Sequence, residues 1–272
     1  MPFFEGNDTT LYYERHGDGP PLLYFNGTGG DLRVKPNMFD GPIGKAFDLL
    51  AHDQRGLGQS AVPAGPYSMA DYADDGARLL DHIGWETCLV FGVSFGGMVA
   101  QEFALRHPGR ATRLVLACTS SGGEGEASYP LHELQEMEPR ERARFMLGIS
   151  DLRLNEAWQQ DNPERVEELI DFTLNQRAHI PVTEESLRGA GLQLEARKDH
   201  DTYDRLDQIN IPTFICGGRF DGIAPVSNLE ALHARISGST MKLYEGGHLF
   251  MLQDRQAFKD IVAFLKGEEI EE

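Results

Sequence analysis

Gly92-Val93-Ser94-Phe95-Gly96 lies between an apolar run, Thr87 to Val93, and a helix-like stretch, Phe95 to His107. A strand that passes straight into a helix with serine at the corner constrains the fold more than any other short feature of this chain, because few backbones accommodate the turn. Side chains at positions 92 and 96 would collide with the adjacent strand or helix, which is the steric reason for glycine on both sides of the serine. In a chain with 30 glycines the bare pattern is cheap, so its meaning rests on context and on partners.

The context is an alternation of apolar runs and helical patterns. Leu11 to Arg15, Leu22 to Phe25, Ala46 to Ala51, Thr87 to Val93, Arg113 to Ala117, Pro212 to Cys216 and Met241 to Tyr244 read as strands. Their apolar character is continuous rather than alternating, as for strands covered on both faces. Ser68-Met69-Ala70-Asp71 is a capping box, followed by Met69, Tyr72, Ala73, Gly76, Leu80 and Ile83 at helical spacing. Asn228 to Ile236 and Arg255 to Leu265 read as the last two helices. The expected fold is α/β, a doubly wound and mainly parallel sheet. The alternation stops between about Ser121 and Asp207, where charged amphipathic helices follow a Gly-rich opening and carry roughly half of the net negative charge. We expect residues 1–120 and 208–272 to form the core and residues 121–207 a helical cap.

A net charge of −18 disfavours nucleic acid and anionic membrane as partners, since both reward basic surface. Met1 to Thr10 lacks the pattern of a secretory signal, and no apolar run approaches the ~20 residues that span a bilayer. Cys88, Cys118 and Cys216 fall in or at the ends of strand-like runs without metal-ligand spacing. Reduced, buried thiols in a cytoplasmic protein are the expectation.

Serine needs a base to take its proton and a third group to orient that base. In a parallel sheet these should stand at the carboxyl ends of strands. Asp221 follows the strand Pro212 to Cys216 in Gly217-Gly218-Arg219-Phe220-Asp221-Gly222, although Asp-Gly is also an ordinary turn. His248 follows Met241 to Tyr244 in Glu245-Gly246-Gly247-His248, where the glycines let the loop carry its ring toward the sheet centre. The order Ser94, Asp221, His248 is that of a triad built on a parallel sheet. Two backbone N–H groups should hold a developing oxyanion. One is Phe95, at a helix N-terminus; the other is Thr28 in Asn26-Gly27-Thr28-Gly29-Gly30, with Gly27 as the alternative. Gly27 and Leu249, beside the donor and the base, are expected to meet substrate. A phosphate-cradling role for the glycine loop is disfavoured, since neither G-K-[ST] nor a helix-opening G-x-G-x-x-G occurs there.

With these residues in view the chain resembles the α/β-hydrolase superfamily. The resemblance runs through Asn26 to Gly30, Asp53-Gln54-Arg55-Gly56-Leu57-Gly58-Gln59-Ser60, the turn at Ser94, Asp221 and Gly247-His248. It implies a structural role for Arg55 and Ser60 and a cap after the sixth strand. Asn26 stands where the family commonly has His, and Leu249 where its carbon–carbon hydrolases often have Trp. Among subgroups the chain looks like 3-oxoadipate enol-lactonases and small esterases.

The resemblance and the triad imply hydrolysis of a small-molecule ester or lactone through an acyl-enzyme, with no metal or organic cofactor. Arg140, Arg142, Arg144 and Arg153 are candidates to hold an anionic substrate. The sequence is also compatible with an aminopeptidase or carbon–carbon hydrolase, with Glu133, Glu136 or Glu167 meeting an amine. A cofactor-free perhydrolase or haloperoxidase and a non-catalytic ligand sensor complete the alternatives. A homodimer is compatible with the sequence.

Overall fold

Strand residues that lie next to each other in sequence point into different cores. The computed structural model describes residues 2–6 and 8–270. Its strands are β1 (Phe3–Glu5), β2 (Thr10–His16), β3 (Pro21–Phe25), β4 (Asp48–His52), β5 (Cys88–Val93), β6 (Ala111–Ala117), β7 (Thr213–Gly218) and β8 (Thr240–Tyr244). They form one sheet in the order β1-β2-β4-β3-β5-β6-β7-β8, antiparallel at β1–β2 and β2–β4 and parallel elsewhere. The order reverses direction at β3, so the helices divide between the two faces.

The helices are α1 (Pro42–Ala46), α2 (Met69–Ile83), α3 (Phe95–Arg106), α4 (Pro139–Ser150), α5 (Glu156–Asp161), α6 (Pro163–Asn175), α7 (Glu184–Lys198), α8 (Val226–Arg235), α9 (Phe250–Gln253) and α10 (Arg255–Lys266). On one face Leu23, Leu50, Val90, Leu114 and Ile215 pack against Leu80 of α2, Phe103 of α3 and Leu232 of α8. On the other, Leu22, Leu49, Phe91, Val115 and Phe214 pack against Ile43 of α1 and Ile261 and Phe264 of α10. Each such fully buried side chain contributes about 1.5–3 kcal/mol of transfer free energy. The mainly parallel, doubly wound sheet expected from the sequence is the one observed.

Local signals set the boundaries. Ser68 caps α2 by accepting from the Asp71 N–H at 3.2 Å, while the Asp71 carboxylate accepts from the Ser68 N–H at 2.8 Å. Gly84 ends that helix in the left-handed region at φ 77°. The strand expected from Ala46 starts later, at Asp48, because Ala46 closes α1 and Phe47 is its C-cap. β1 had no clear pattern in three residues at the sheet edge. Among the described residues no helix is long and apolar enough to cross a membrane.

Candidate active site

The turn from β5 to α3 holds Ser94 at φ 54°, ψ −118°, a conformation that L-residues rarely adopt. The neighbouring glycines show why it can close. A Cβ at Gly96 would stand 2.0 Å from the Phe25 carbonyl oxygen, and one at Gly92 would stand 2.3 Å from that of Gly96. The Ser94 N–H donates to Ala117 O at 2.8 Å, and Thr119 Oγ1 donates to Ser94 O at 2.8 Å, so β6 and the segment after it fix the strained residue.

Three loops meet at that serine. Ser94 Oγ lies 3.0 Å from His248 Nε2, and His248 Nδ1 lies 2.8 Å from Asp221 Oδ2. Asp221 is 2% exposed, and its other oxygen accepts from the N–H groups of Ile223 (2.8 Å) and Ala224 (3.0 Å). A carboxylate so placed can only accept from the imidazole. Nδ1 therefore carries the ring proton, and Nε2 is free to accept from the serine hydroxyl.

The helices between β6 and β7 reach these loops directly. At the C-terminal end of α4, Ser150 O accepts the His248 N–H at 2.6 Å and Ile149 O accepts the Gly222 N–H at 3.0 Å. Carbonyls that a helix end leaves unpaired are thus satisfied by the loops bearing the base and the acid. This approach also explains two glycines, for a Cβ at Gly247 would lie 2.0 Å from Ser150 O and one at Gly222 would lie 2.7 Å from Ile149 O. At position 247 the glycine admits a helix end, a steric role beyond the loop freedom expected of it.

The loop Asn26 to Gly30 packs against the serine, and a Cβ on Gly27 would fall 3.7 Å from that of Ser94. Asn26 Oδ1 accepts the Gly27 N–H at 3.0 Å, so Gly27 is engaged as a donor. Among the described residues no acceptor engages the N–H of Thr28 or of Phe95. Gln54 Nε2 donates to Asn26 O (2.7 Å), the Gly29 N–H donates to Gln193 Oε1 (2.8 Å), and Arg177 Nη2 donates to Gly29 O (2.6 Å). Asn26 thus braces the loop through both its side chain and its carbonyl. Arg55 makes a buried two-point pair with Asp75, at 2.8 and 2.7 Å, and Ser60 Oγ donates to Asp53 O at 2.5 Å. Leu249 follows the base as the N-cap of α9 and is 57% exposed.

Of the surface side chains proposed for charged substrates, Arg140, Arg144, Arg153 and Glu167 have other partners. Arg140 binds Glu167 and Asp171, Arg144 binds Glu167, and Arg153 pairs with Asp151 at 2.7 Å. Arg142, Glu133 and Glu136 are exposed. Sequence reasoning missed two buried residues of α7, Gln193 and Arg197. Their four-residue spacing puts them on one helix face with Gly189. No apolar stripe marks that face as the inner one, so only the spacing could have suggested the pair.

Cys118, Asp221 and His248 bring possible metal-ligand atoms within 4.8 Å of one another. Burial pushes the Cys118 thiol well above its ordinary range, and the facing atoms of Asp221 and His248 are bonded to each other. A protonated thiol behind an occupied pair is a poor ligand set. All three cysteines are free and buried.

Comparison with known proteins identifies the fold family. Residues 20–254 match the family model described as alpha/beta hydrolase fold. The chain is 29% identical over 251 residues to a poly(3-hydroxyalkanoate) depolymerase of Ectopseudomonas oleovorans, covering 91% of this chain and 85% of that one. It is 27% identical over 277 residues to 3-oxoadipate enol-lactonase 2 of Acinetobacter baylyi, covering 96% and 97%. The crystal structure of an enol-lactonase from Burkholderia xenovorans shares the fold, with a TM-score of 0.77 at 22% identity over 98% of this chain and 100% of the other.

Proposed function

The chain belongs to the α/β-hydrolase fold family, and from that premise we propose that it cleaves a carboxylic ester or lactone of a small molecule through an acyl-enzyme on Ser94. One observation carries the reading: the unbroken relay from Ser94 Oγ through the His248 ring to Asp221, at 3.0 and 2.8 Å. His248 Nε2 takes the hydroxyl proton as Ser94 Oγ attacks the acyl carbon. The N–H groups of Phe95 and Thr28 receive the negative charge that develops on the carbonyl oxygen. As the tetrahedral intermediate collapses, His248 gives its proton to the leaving alkoxide. The same ring then deprotonates water as its oxygen attacks the acyl-enzyme, and gives that proton to Ser94 Oγ as the acyl–Oγ bond breaks and the carboxylic acid leaves. Asp221 holds the Nδ1–H tautomer and stabilises the imidazolium between these transfers.

We assign residues 121–207 as the cap over this site. Similarity to a depolymerase and an enol-lactonase supports an acyl–oxygen bond as the target. The test is a panel of esters and lactones of graded acyl length. Wild type should turn over activated members, and Ser94→Ala should lose about 10⁴-fold or more in kcat with an unchanged unfolding transition. Retained turnover in folded Ser94→Ala overturns the reading.

A further inference from the structure

We propose that Arg197 and the cavity beside it form a subsite for a carboxylate on the substrate, so that the preferred ester or lactone is an anion charged at a distance from the bond it loses. The inference deepens the hydrolase reading and rests on it.

Arg197 lies on the inner face of α7 and is only 8% exposed. Its Nη2 donates to Ser128 Oγ at 2.5 Å and to Tyr129 O at 3.1 Å. Its Nη1 is buried with no acceptor, and among the described residues no carboxylate forms an ion pair with it. Burial lowers its pKa to about 10, which still leaves the group charged at neutral pH. An unpaired buried charge is destabilising, and a counter-ion arriving with a ligand would offset that cost.

The cavity has a volume of about 50 Å³. That is room for a few non-hydrogen atoms, the size of a carboxylate rather than of a whole substrate. Its walls include Arg197, Lys198, His132, His200, Ser120 and Ser128, and no Asp or Glu lines it. A pocket whose charged wall residues are two cations, Arg197 and Lys198, stands out in a chain of net charge −18. Two wall residues lie close in the chain to the nucleophile: Ser120 follows Thr119, whose Oγ1 donates to Ser94 O at 2.8 Å, and Met98 lies on the helix that Ser94 caps. Met98 in its wall is one turn beyond Ser94 on α3, about 5–6 Å along the helix. Gln193, one turn before Arg197, holds the Gly29 N–H of the oxyanion loop. An acyl chain of a few carbons spans that separation.

The test compares p-nitrophenyl hemi-esters of short dicarboxylic acids with neutral esters in which a methyl ester caps the far carboxylate. In wild type the ratio of kcat/KM, anionic over neutral, should exceed one at the best chain length. In Arg197→Met that ratio should fall roughly 30-fold or more, mostly through KM, with Arg197→Lys keeping part of it. An unchanged ratio in Arg197→Met overturns the subsite. A second measurement needs neither turnover nor that variant's folding: calorimetric titration of Ser94→Ala with the free dicarboxylates and with inorganic phosphate. Length-dependent dicarboxylate binding supports the subsite, and no binding overturns it. Phosphate binding as tight as the best dicarboxylate would make it a general oxyanion site and overturn the substrate assignment. Dicarboxylate binding without ester turnover in wild type would instead overturn the hydrolase reading and leave the subsite standing.

Discussion

The sheet hides its surface with hydrocarbon, and the helices between β6 and β7 hide theirs much less. Leu22, Leu23, Val90, Phe91, Leu114 and Val115 are all fully buried, on two faces. From 121 to 207, among the described residues, the buried hydrophobic side chains are Leu134, Val166, Ile170, Ala196 and Leu206. Surface ion pairs such as Arg140 with Glu167 and Asp171 join α4 to α6 there, and the buried positions of α7 include Gln193 and Arg197. The contrast divides the labour. A close-packed sheet can hold a strained serine within hydrogen-bond reach of its base, since the cost of strain is spread over many contacts. A polar overlay suits the recognition of a substrate's substituents and tolerates change at its surface.

The largest expected effect is where α3 packs on the sheet. Gly96→Ala puts a methyl group 2.0 Å from the Phe25 carbonyl oxygen, and stability should fall by about 3 kcal/mol or more. Gly191→Ala on α7 meets nothing closer than 3.4 Å and should be neutral or slightly stabilising, as Ala for Gly in a helix. Urea midpoints of the two variants check the contrast, and equal losses would break it.

Acid should probe both regions alike. Burial lowers the pKa of His52 in β4 and of His200 after α7 to about 4. Both rings stay neutral in the fold, while the unfolded chain takes up protons near 6.5. The stability present above pH 6.5 is therefore lost as pH falls toward 4, by up to about 3 kcal/mol per ring. His52→Gln and His200→Gln should each flatten the acid limb of a midpoint-against-pH curve. An unaltered slope in either would remove that ring from the account. The smallest effect is expected at the outer surface of α4. Arg140→Ala breaks two exposed pairs and should leave the urea midpoint unmoved at moderate salt.

The same contrast governs how much could be read beforehand. Continuous apolar runs revealed β3 and β5, and the glycines marked the close approaches at Ser94. Strand-end placement picked Asp221 and His248 out of a chain with nine histidines, and the structure brings both to Ser94. The hydrogen bond from the Gly27 N–H to Asn26 Oδ1 is a reason for preferring Thr28 to Gly27 that no pattern encodes. The surface arginines drew attention as an anion site because unpaired and paired arginines look alike in a sequence. Arg197 stayed hidden because a buried polar face breaks the apolar periodicity by which inner faces are found.

Hydrolysis by this triad requires a covalent bond between the acyl group and Ser94. Mixing the protein with a slowly deacylating p-nitrophenyl ester and quenching within one turnover should give one acyl group per chain, located by mass spectrometry on the peptide containing Ser94, and none in Ser94→Ala. Turnover with no adduct at Ser94, or an acyl group carried by a different residue, would contradict it.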